Sequence, residues 1–392
     1  MRQGNDFDVV VVGAGLVGAA FSLAMVGSGL RIGLLEAAPP QELPQDESWD
    51  SRIYTVSPGN AAFLERLGIW TSLDRKRLAP IHNMQVWGDD GRSAIEFDAY
   101  AAGAESLGWV VESRQMQSAL WRALEACEEV TVLCPGLCES LSVTDEIASL
   151  TMNDGRMLLT QLVVAADGGN SLTRHQAGIA VVGRDYGQMG VVANFVAEKP
   201  HGNVARQWFR QDSILAWLPL PGNRISMVWS TLQSQAEKLL ALDSSTLCEQ
   251  VAEAGHDTLG KLQLVTSATG FPLRLQSAAT MVIPRLALIG DAAHLVHPLA
   301  GQGVNLGFRD AACLSGVLFQ RGVRDYPGDY LLLRRYERAR KTDILSMQAV
   351  TDGLQLLFNN DRPWCATLRN TGLTLTDSQG WLKRRLMAQA LA

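Results

Sequence analysis

Short apolar runs and helical segments alternate at the start of the chain. Residues 7–12 form a valine-rich run, 13–18 a glycine-rich turn, 19–26 a stretch typical of a helix, and 30–35 a second apolar run. Apolar runs of this length that are bounded by glycine predict buried strands. Residues 7–36 are therefore predicted to form one βαβ unit.

The rest of the chain continues this alternation but has a strand-rich middle. Residues 37–51 are rich in Pro, Gln, Asp and Glu, which predicts a surface loop. Further predicted elements, in chain order, are a helix at 58–67, a hairpin at 84–97, a helix at 115–126, a strand at 130–133, a β-meander at 140–165, a strand-rich stretch at 186–230, a helical stretch at 235–255, a strand at 286–289 and helices over most of 302–358. Mixed α/β parts on either side of a β-rich middle predict two interleaved domains.

Composition places the chain among globular proteins and excludes several function classes. Of its 392 residues, 47% are hydrophobic and 19% are charged, which is enough apolar material for the cores of two or three domains. The formal net charge of −6 argues against a general nucleic-acid binder. Six scattered cysteines do not form a disulfide scaffold, and no Cys or His group has the spacing of metal ligands. We therefore expect no metal site.

The N-terminus and the hydropathy pattern bear on location. No run of about 18 apolar residues is uninterrupted, so no membrane-spanning helix is predicted. Asp6 and Asp8 stand before the first apolar run, which breaks at Gly13, so no signal peptide is predicted either. We therefore expect a cytoplasmic protein.

The glycine-rich turn has the spacing of a dinucleotide-binding site. Gly13, Gly15 and Gly18 lie between the first strand and its helix. In such a turn the first glycine permits a tight bend, the second lets a pyrophosphate approach, and the third lets helix and strand pack closely. Glu36 ends the second strand, where an acid can accept hydrogen bonds from an adenosine ribose. The motif favours FAD or NAD over NADP but does not separate the first two, and a purely structural turn is the alternative.

A second glycine motif follows the short strand at 286–289. An aspartate at a strand end can hydrogen-bond a sugar-alcohol chain, and the N-terminus of the long helix that follows can hold a negative group. A plain NAD-dependent dehydrogenase does not need such a second site. The residues of this motif are Gly290, Asp291, Pro298, Gly301, Gln302, Gly303, Val304 and Asn305.

Together these motifs resemble those of the class A flavin monooxygenases, whose fold is that of para-hydroxybenzoate hydroxylase. Residues 163–174 match a third motif of that family, in which Asp167 is a candidate cofactor residue. The resemblance implies non-covalently bound FAD. It also implies that Asp291 meets the ribityl chain, that Pro298 flanks the flavin ring, and that residues 301–305 line it.

Within this class the chain is most similar to the ubiquinone-biosynthesis hydroxylases. The similarity is carried by residues 50–58 and 111–114 and by the uninterrupted second motif. It implies that Arg52 contacts the cofactor. Two positions depart from the family pattern, since Ala165 stands where glycine is usual and Ser113 where the subgroup usually has asparagine.

The resemblance also implies a reaction. In this family a two-electron donor reduces the flavin, and O2 then forms a flavin C4a-hydroperoxide that hydroxylates an electron-rich ring. The implied function is a FAD-dependent monooxygenase that hydroxylates a (poly)prenylated phenol or quinol in ubiquinone biosynthesis, with O2 and NAD(P)H or another electron donor as co-substrates. The alternatives are another flavoprotein of this fold, namely a hydroxylase of a small phenol or a prenyl reductase, and a non-catalytic flavin-binding scaffold.

No side chain is predicted to act as a catalytic acid or base. His294 and His297 are close to the second motif and could tune a substrate phenol, but packing or holding the loop in shape is the favoured interpretation. Four aromatic residues of the strand-rich middle are interpreted as sheet core, with the lining of an apolar pocket as the alternative: Tyr186, Trp208, Trp217 and Trp229.

The implied architecture is a mixed α/β fold. A Rossmann-like FAD-binding domain is interleaved with a β-sheet substrate domain, and a C-terminal helical segment follows. The FAD-binding domain is predicted at 1–79, 109–180 and 277–345, the substrate domain at 80–108 and 181–276, and the helical segment at 346–392.

Basic residues concentrate in the last part of the chain. Residues 331–392 carry ten Lys and Arg but only five Asp and Glu, although the whole chain is acidic. A polyprenylated substrate would reside in a membrane, and a basic, partly apolar segment can dock to anionic lipid. Two interpretations stay open, namely peripheral contact with the inner face of the membrane, and a solvated helix face or a contact within a biosynthetic complex.

Overall fold

The structure is a computed structural model that describes residues 5–89, 93–210, 212–296, 303–323 and 325–358. These residues form two large sheets and one small sheet, with helices packed against both large sheets.

The first large sheet carries the glycine-rich turn and is parallel over five consecutive strands, from β19 (Leu286–Leu288) to the edge strand β8 (Val130–Leu133). Its valine-rich strand at residues 9–12 is buried, as expected for a parallel sheet that helices cover on both faces. The strands in spatial order are β18 (Val282–Ile283), β19 (Leu286–Leu288), β11 (Met157–Ala165), β1 (Phe7–Val12), β2 (Ile32–Leu35) and β8 (Val130–Leu133), with β10 (Ala148–Met152) paired to β11 and β9 (Cys138–Val143) paired to β10.

The second large sheet, here called the substrate sheet, contains most of the strand-rich middle. Its strands in spatial order are β20 (His294–Leu295), β17 (Thr269–Ala278), β12 (Val181–Ala197), β15 (Arg224–Leu232), β14 (Ser213–Leu220), β13 (Val204–Phe209), β5 (Asn83–Trp87) and β6 (Ala94–Asp98), with β16 (Leu262–Leu264) paired to β12. A small third sheet has the order β3 (Ile53–Val56), β7 (Gly108–Glu112) and β4 (Ala79–Ile81). The strands of the sheets alternate along the chain, and the predicted domain boundaries stay a prediction.

Nine helices lie within the described residues. They are α1 (Leu16–Ala24), α2 (Pro58–Arg66), α3 (Ile69–Ser72), α4 (Ser113–Glu125), α5 (Leu172–Gln176), α6 (Gln233–Leu240), α7 (Ser244–Ala254), α8 (Gly303–Phe319) and α9 (Tyr330–Phe358). None of the helices in these described ranges combines the length and apolarity needed to cross a membrane.

The predicted elements are confirmed, with differences that local chemistry explains. The helical stretch at 235–255 is two helices, because Asp243 accepts hydrogen bonds from the N–H groups of Ser245 and Thr246 and so begins α7. The helical stretch at 302–358 is interrupted between α8 and α9, where Pro327 and two glycines stand. Seven strands were not predicted: β3, β4, β7, β16, β17, β18 and β20.

The tryptophans of the substrate sheet belong to its core. Trp208, Trp217 and Trp229 pack with α6 and α7 in one buried apolar cluster. A Cβ atom at Gly255, at the end of α7, would lie 2.0 Å from the Trp217 ring, so this ring rests directly on the backbone. The core interpretation is therefore confirmed for these three residues, while Tyr186 is half-buried beneath the Arg184 guanidinium.

Candidate functional site

Two glycines of the first motif are required by the packing of the turn itself. Gly13 has φ +99°, and a Cβ atom there would lie 2.6 Å from the Ala166 carbonyl oxygen. At Gly18 a Cβ atom would lie 2.0 Å from the Gly13 carbonyl oxygen. These glycines let β1, α1 and the end of β11 meet at one point.

The remaining glycine of this motif faces open space. A Cβ atom at Gly15 would have no protein atom within 4 Å. Gly15 is the N-cap of α1, and no side chain caps that helix. Free N–H groups and the positive end of the helix dipole are therefore available to a phosphate that approaches over Gly15. The turn fits the pyrophosphate of a dinucleotide.

Glu36 lies at the same edge of the sheet as the glycine turn. Its Oε2 atom accepts a hydrogen bond of 2.6 Å from the Ala14 N–H, and its Oε1 atom accepts one of 2.9 Å from the Ala37 N–H. The Gln117 side chain fixes the same turn from α4, because its Nε2 atom donates to the Ala14 carbonyl oxygen at 2.7 Å. The sequence did not indicate Gln117, since a glutamine in an amphipathic helix carries no distinguishing pattern.

The second motif packs directly onto the first. Gly290 has φ +60°, and a Cβ atom there would lie 3.3 Å from the Val17 side chain, in the first turn of α1. A Cβ atom at Gly307, in α8, would lie 2.5 Å from Val17 Cγ2. The two glycines thus allow α1 and α8 to approach closely, so the two predicted cofactor motifs lie side by side. We call the area around Gly13–Gly18 and Gly290–Asp291 the cofactor region.

Charged and phenolic side chains gather beside Asp291 in the cofactor region. Asp291 is accessible to solvent, but the protein around it desolvates its carboxylate and raises its pKa, an effect that His294 and Arg52 oppose. The Arg52 guanidinium lies 5.6 Å from the centre of the Tyr54 ring. Burial likewise raises the pKa of Tyr54, and the Arg52 charge and a hydrogen bond with Ser113 oppose it. The structure therefore brings together Arg52 and Asp291, the two residues that the resemblance assigns to the cofactor, and adds Tyr54 and Ser113.

A buried carboxylate holds the second motif from behind. Asp310 of α8 is fully buried, and its Oδ2 atom lies 2.6 Å from His294 Nε2 and accepts the Gly290 N–H at 3.0 Å. Its Oδ1 atom accepts a hydrogen bond of 2.7 Å from Arg340 of α9. Burial would raise the pKa of Asp310, but His294 and Arg340 outweigh it and hold that pKa below its usual value. His294 therefore holds the loop in shape, the favoured interpretation of this residue.

The described part of the loop-to-helix motif contains Gly303, Val304 and Asn305. Asn305 is buried, and its Oδ1 atom accepts hydrogen bonds of 3.0 Å from the Ser57 N–H and the Asn60 side chain. These contacts tie the first turn of α8 to α2. The remaining predicted contacts to the flavin ring lie outside the described residues: Pro298, Gly301 and Gln302. His297, a candidate for tuning a substrate phenol, also lies outside them.

The Asp167 side chain accepts hydrogen bonds from residues of its own turn. Its two carboxylate oxygens accept the Ser171 hydroxyl at 2.5 Å and the Thr173 N–H at 3.0 Å. The Arg174 side chain then links this turn to the second motif, by donating to the Ala292 carbonyl oxygen at 2.9 Å. A direct contact from Asp167 to the cofactor stays a prediction.

A separate open cavity of about 850 Å³ lies between α7 and β16. Ser244, Cys248, Lys261 and Thr266 contribute to its lining. It lies on the side of the substrate sheet that α6 and α7 cover, and none of the predicted site residues lines it. It is therefore a separate feature from the cofactor region.

Comparisons with known proteins agree with this geometry. Residues 6–344 match the family described as FAD binding domain. The chain is 34% identical to 3-demethoxyubiquinol 3-hydroxylase of Escherichia coli, over 98% of both chains. It is also 34% identical to ubiquinone biosynthesis monooxygenase COQ6 of Homo sapiens, over 98% of this chain and 92% of that protein.

Solved structures share the fold at lower sequence identity. The p-nitrophenol 4-monooxygenase PnpA of Pseudomonas putida superimposes with a TM-score of 0.77 at 17% identity, over 98% of both chains. HpxO of Klebsiella pneumoniae, solved with FAD and uric acid, gives a TM-score of 0.74 at 18% identity, over 98% of this chain and 96% of that one. These two similarities support the fold alone.

Proposed function

The chain belongs to the FAD binding domain family, and from that premise we propose that it hydroxylates the aromatic ring of a prenylated phenol or quinol in ubiquinone biosynthesis. It is a flavin-dependent monooxygenase that uses FAD and O2. The observation that carries the substrate class is the 34% identity to ubiquinone hydroxylases along almost the whole chain. The predicted resemblance and mixed α/β fold are confirmed.

The residues present fit FAD at both of its ends. The α1 N-terminus over Gly15 would hold the pyrophosphate, and Glu36 the adenosine ribose. By the resemblance, Asp291 would hold the ribityl chain. When bound, FAD supplies the activation of O2 after a two-electron donor, proposed to be NAD(P)H or another reductant, has reduced it.

The residues of the chain itself would position the reacting groups and limit the entry of water. Glu112 is fully buried, lies 2.6 Å from Arg77 Nε, and accepts the Asp50 N–H at 2.7 Å. Asp50 in turn accepts the Arg52 N–H at 2.9 Å. This chain of contacts fixes the loop that carries Arg52 beside Asp291, where a held cation can orient anionic groups and limit the entry of water. We assign no catalytic acid or base.

Complementation tests this function. The gene is expressed in Escherichia coli strains that each lack one ubiquinone ring hydroxylase. The quinones are then extracted and identified by mass spectrometry. We expect ubiquinone to return in one strain, which would also identify the ring position. A FAD-loaded protein that restores ubiquinone in none of them would contradict the proposal and favour the prenyl reductase or the scaffold.

We also propose that the exposed face of α9 contacts anionic lipid of the membrane in which a prenylated substrate resides. Leu331 and Leu345 are 73% and 52% exposed. Arg335, Arg338 and Lys341 lie exposed between them. Basic residues contribute about 1 kcal/mol each to such contacts. A cytoplasmic location on the inner face of the membrane, and membership of a biosynthetic complex, stay predictions.

Vesicle binding checks the membrane proposal. Wild-type protein is expected to sediment with vesicles that contain anionic lipid and to stay in solution with purely zwitterionic ones. A variant with Arg335→Glu, Arg338→Glu and Lys341→Glu is expected to lose most of this binding. Equal sedimentation of the wild type and the variant would show that this face is merely solvated.

A further inference from the structure

The two faces of the substrate sheet have different neighbours. Val191, Ala193 and Phe195 of β12 pack in the buried cluster that includes α6 and α7. On β17, a Cβ atom at Gly270 would lie 2.8 Å from Met189 Cε and 3.0 Å from Leu240 Cδ1 of α6. Because side chains alternate along a strand, the neighbouring residues of β12 and β17 point to the opposite face.

That opposite face looks towards the FAD-binding part of the chain. Asn194 of β12 donates a hydrogen bond of 2.8 Å to the Asp50 carbonyl oxygen, in the loop that carries Arg52. We call this side the cleft face. Its apolar residues include Val182 and Val192 of β12, Val228 of β15, and Phe271, Leu275 and the buried Leu273 of β17, and polar residues such as Gln188 and Ser230 lie among them.

The tip of an aromatic ring lies against the backbone on the cleft face. Phe271 is the cross-strand partner of Gly190, and a Cβ atom at Gly190 would lie 2.7 Å from Phe271 Cζ. The absence of a side chain at position 190 therefore makes room for the ring over the β12 backbone. The Phe271 side chain remains 38% exposed, and Val182 is 68% exposed. An aromatic surface that is built in this way and left open is typical of a binding surface.

The apolar strip on this face is continuous with the flavin-binding segment. At its inner end Ser277 pairs with His294, directly after the Gly290–Ala292 turn. From Ser277 to Phe271 the strand spans about 20 Å. Arg184, the cross-strand partner of Leu275, stacks on the Tyr186 ring. A long surface on which apolar residues alternate with polar ones, and which begins beside the second motif, fits an extended hydrocarbon better than a single ring.

We propose that the cleft face along β12 and β17 binds the prenyl tail of the substrate. Phe271 is the principal contact, and Gly190 is the residue that allows its ring to lie on the sheet. The aromatic head would then lie near the β20 end of the strip, where the second motif holds the flavin. This inference rests on the proposed function and deepens it by assigning the part of the substrate that the sheet recognises.

Binding of a substrate series to the FAD-loaded enzyme tests the inference. The probes are ortho-prenylated phenols with one, two, three and four isoprene units, and the change in flavin fluorescence reports Kd. In the wild type, Kd is expected to fall as the tail grows. Phe271→Ala should raise Kd of the longest phenol about ten-fold, equivalent to about 1.4 kcal/mol, and leave Kd of the shortest unchanged. Gly190→Ala should have the same effect, because it displaces the ring.

Tyr100→Ala is the matched control, since Tyr100 is a 92% exposed aromatic residue that follows β6, the opposite edge strand of the sheet. It is expected to bind every phenol as the wild type does. If both Phe271→Ala and Gly190→Ala keep the wild-type dependence on tail length, or if the wild type shows no such dependence, the inference is wrong. Tail-dependent binding without ring hydroxylation would instead overturn the proposed function and leave the tail site standing.

Discussion

A Gly15→Val variant is expected to fold as the wild type does and to lose FAD. Gly15 has φ −61°, which any residue can adopt, and a Cβ atom there meets no protein atom within 4 Å. The fold should therefore lose no more than about 1 kcal/mol, the usual penalty of a poor N-cap. The valine side chain would nevertheless occupy the space over the α1 N-terminus that a pyrophosphate needs. We expect Kd for FAD to rise more than about 100-fold, equivalent to about 2.7 kcal/mol.

The measurement is a fluorescence titration of apoprotein with FAD, accompanied by circular dichroism. Gly316→Ala is the matched control, because this glycine also meets no protein atom but lies in α8, away from the turn. Its Kd for FAD should be that of the wild type. Gly18→Val should instead disturb the fold itself, since its Cβ atom would lie 2.0 Å from the Gly13 carbonyl oxygen. A Gly15→Val protein with wild-type affinity would contradict the assignment of this turn.

Asp310→Ala is expected to destabilise the protein by about 3–5 kcal/mol, the range found when one partner of a buried ion pair is removed. The change leaves Arg340 buried without its closest carboxylate and leaves the Gly290 N–H without an acceptor. FAD affinity should fall as well, because this carboxylate fixes the turn that carries Asp291. Urea unfolding gives the free energy, and Asp343→Ala is the control, since its side chain is 27% exposed at the outer end of the same network.

The same network sets a dependence on pH. His294 and Arg340 hold the pKa of Asp310 below its usual value, so the folded state favours the carboxylate. The stability that this group contributes is present at neutral pH and is lost as the pH falls below the usual aspartate range, through the lowered pKa. The difference in unfolding free energy between wild type and Asp310→Ala should therefore shrink in acid. A difference that is the same at pH 7 and pH 3 would contradict this account of Asp310.

The cofactor half of the site was predictable because its chemistry is local in sequence. Gly13, Gly15, Gly18 and Glu36 fall within one βαβ unit, where the strand, turn and helix fix their relative positions. The structure shows that Gly13 and Gly18 are required because a side chain there would clash with the backbone, and that Gly15 leaves open the space through which a phosphate would approach. The second motif could be recognised for the same reason, as a strand end followed by a helix start.

The substrate half could not be predicted, because strand pairing creates it. Phe271 is 81 residues from Gly190 in sequence, and only the register of β12 and β17 brings them together. The apolar residues of this sheet give no indication of which face meets α6 and α7. The contact between Asp310 and Arg340 could not be predicted either, because it depends on how α9 packs against α8.

The central claim is that this protein transfers one atom of O2 to the ring of a prenylated phenol. The most direct test is a reaction of the FAD-loaded protein with a prenylated phenol, a reductant and isotopically heavy O2, followed by mass spectrometry of the product. The account predicts a ring-hydroxylated product that carries one heavy oxygen atom. A hydroxylated product whose oxygen comes from water, or consumption of reductant with hydrogen peroxide as the sole product for every phenol in the series, would contradict it.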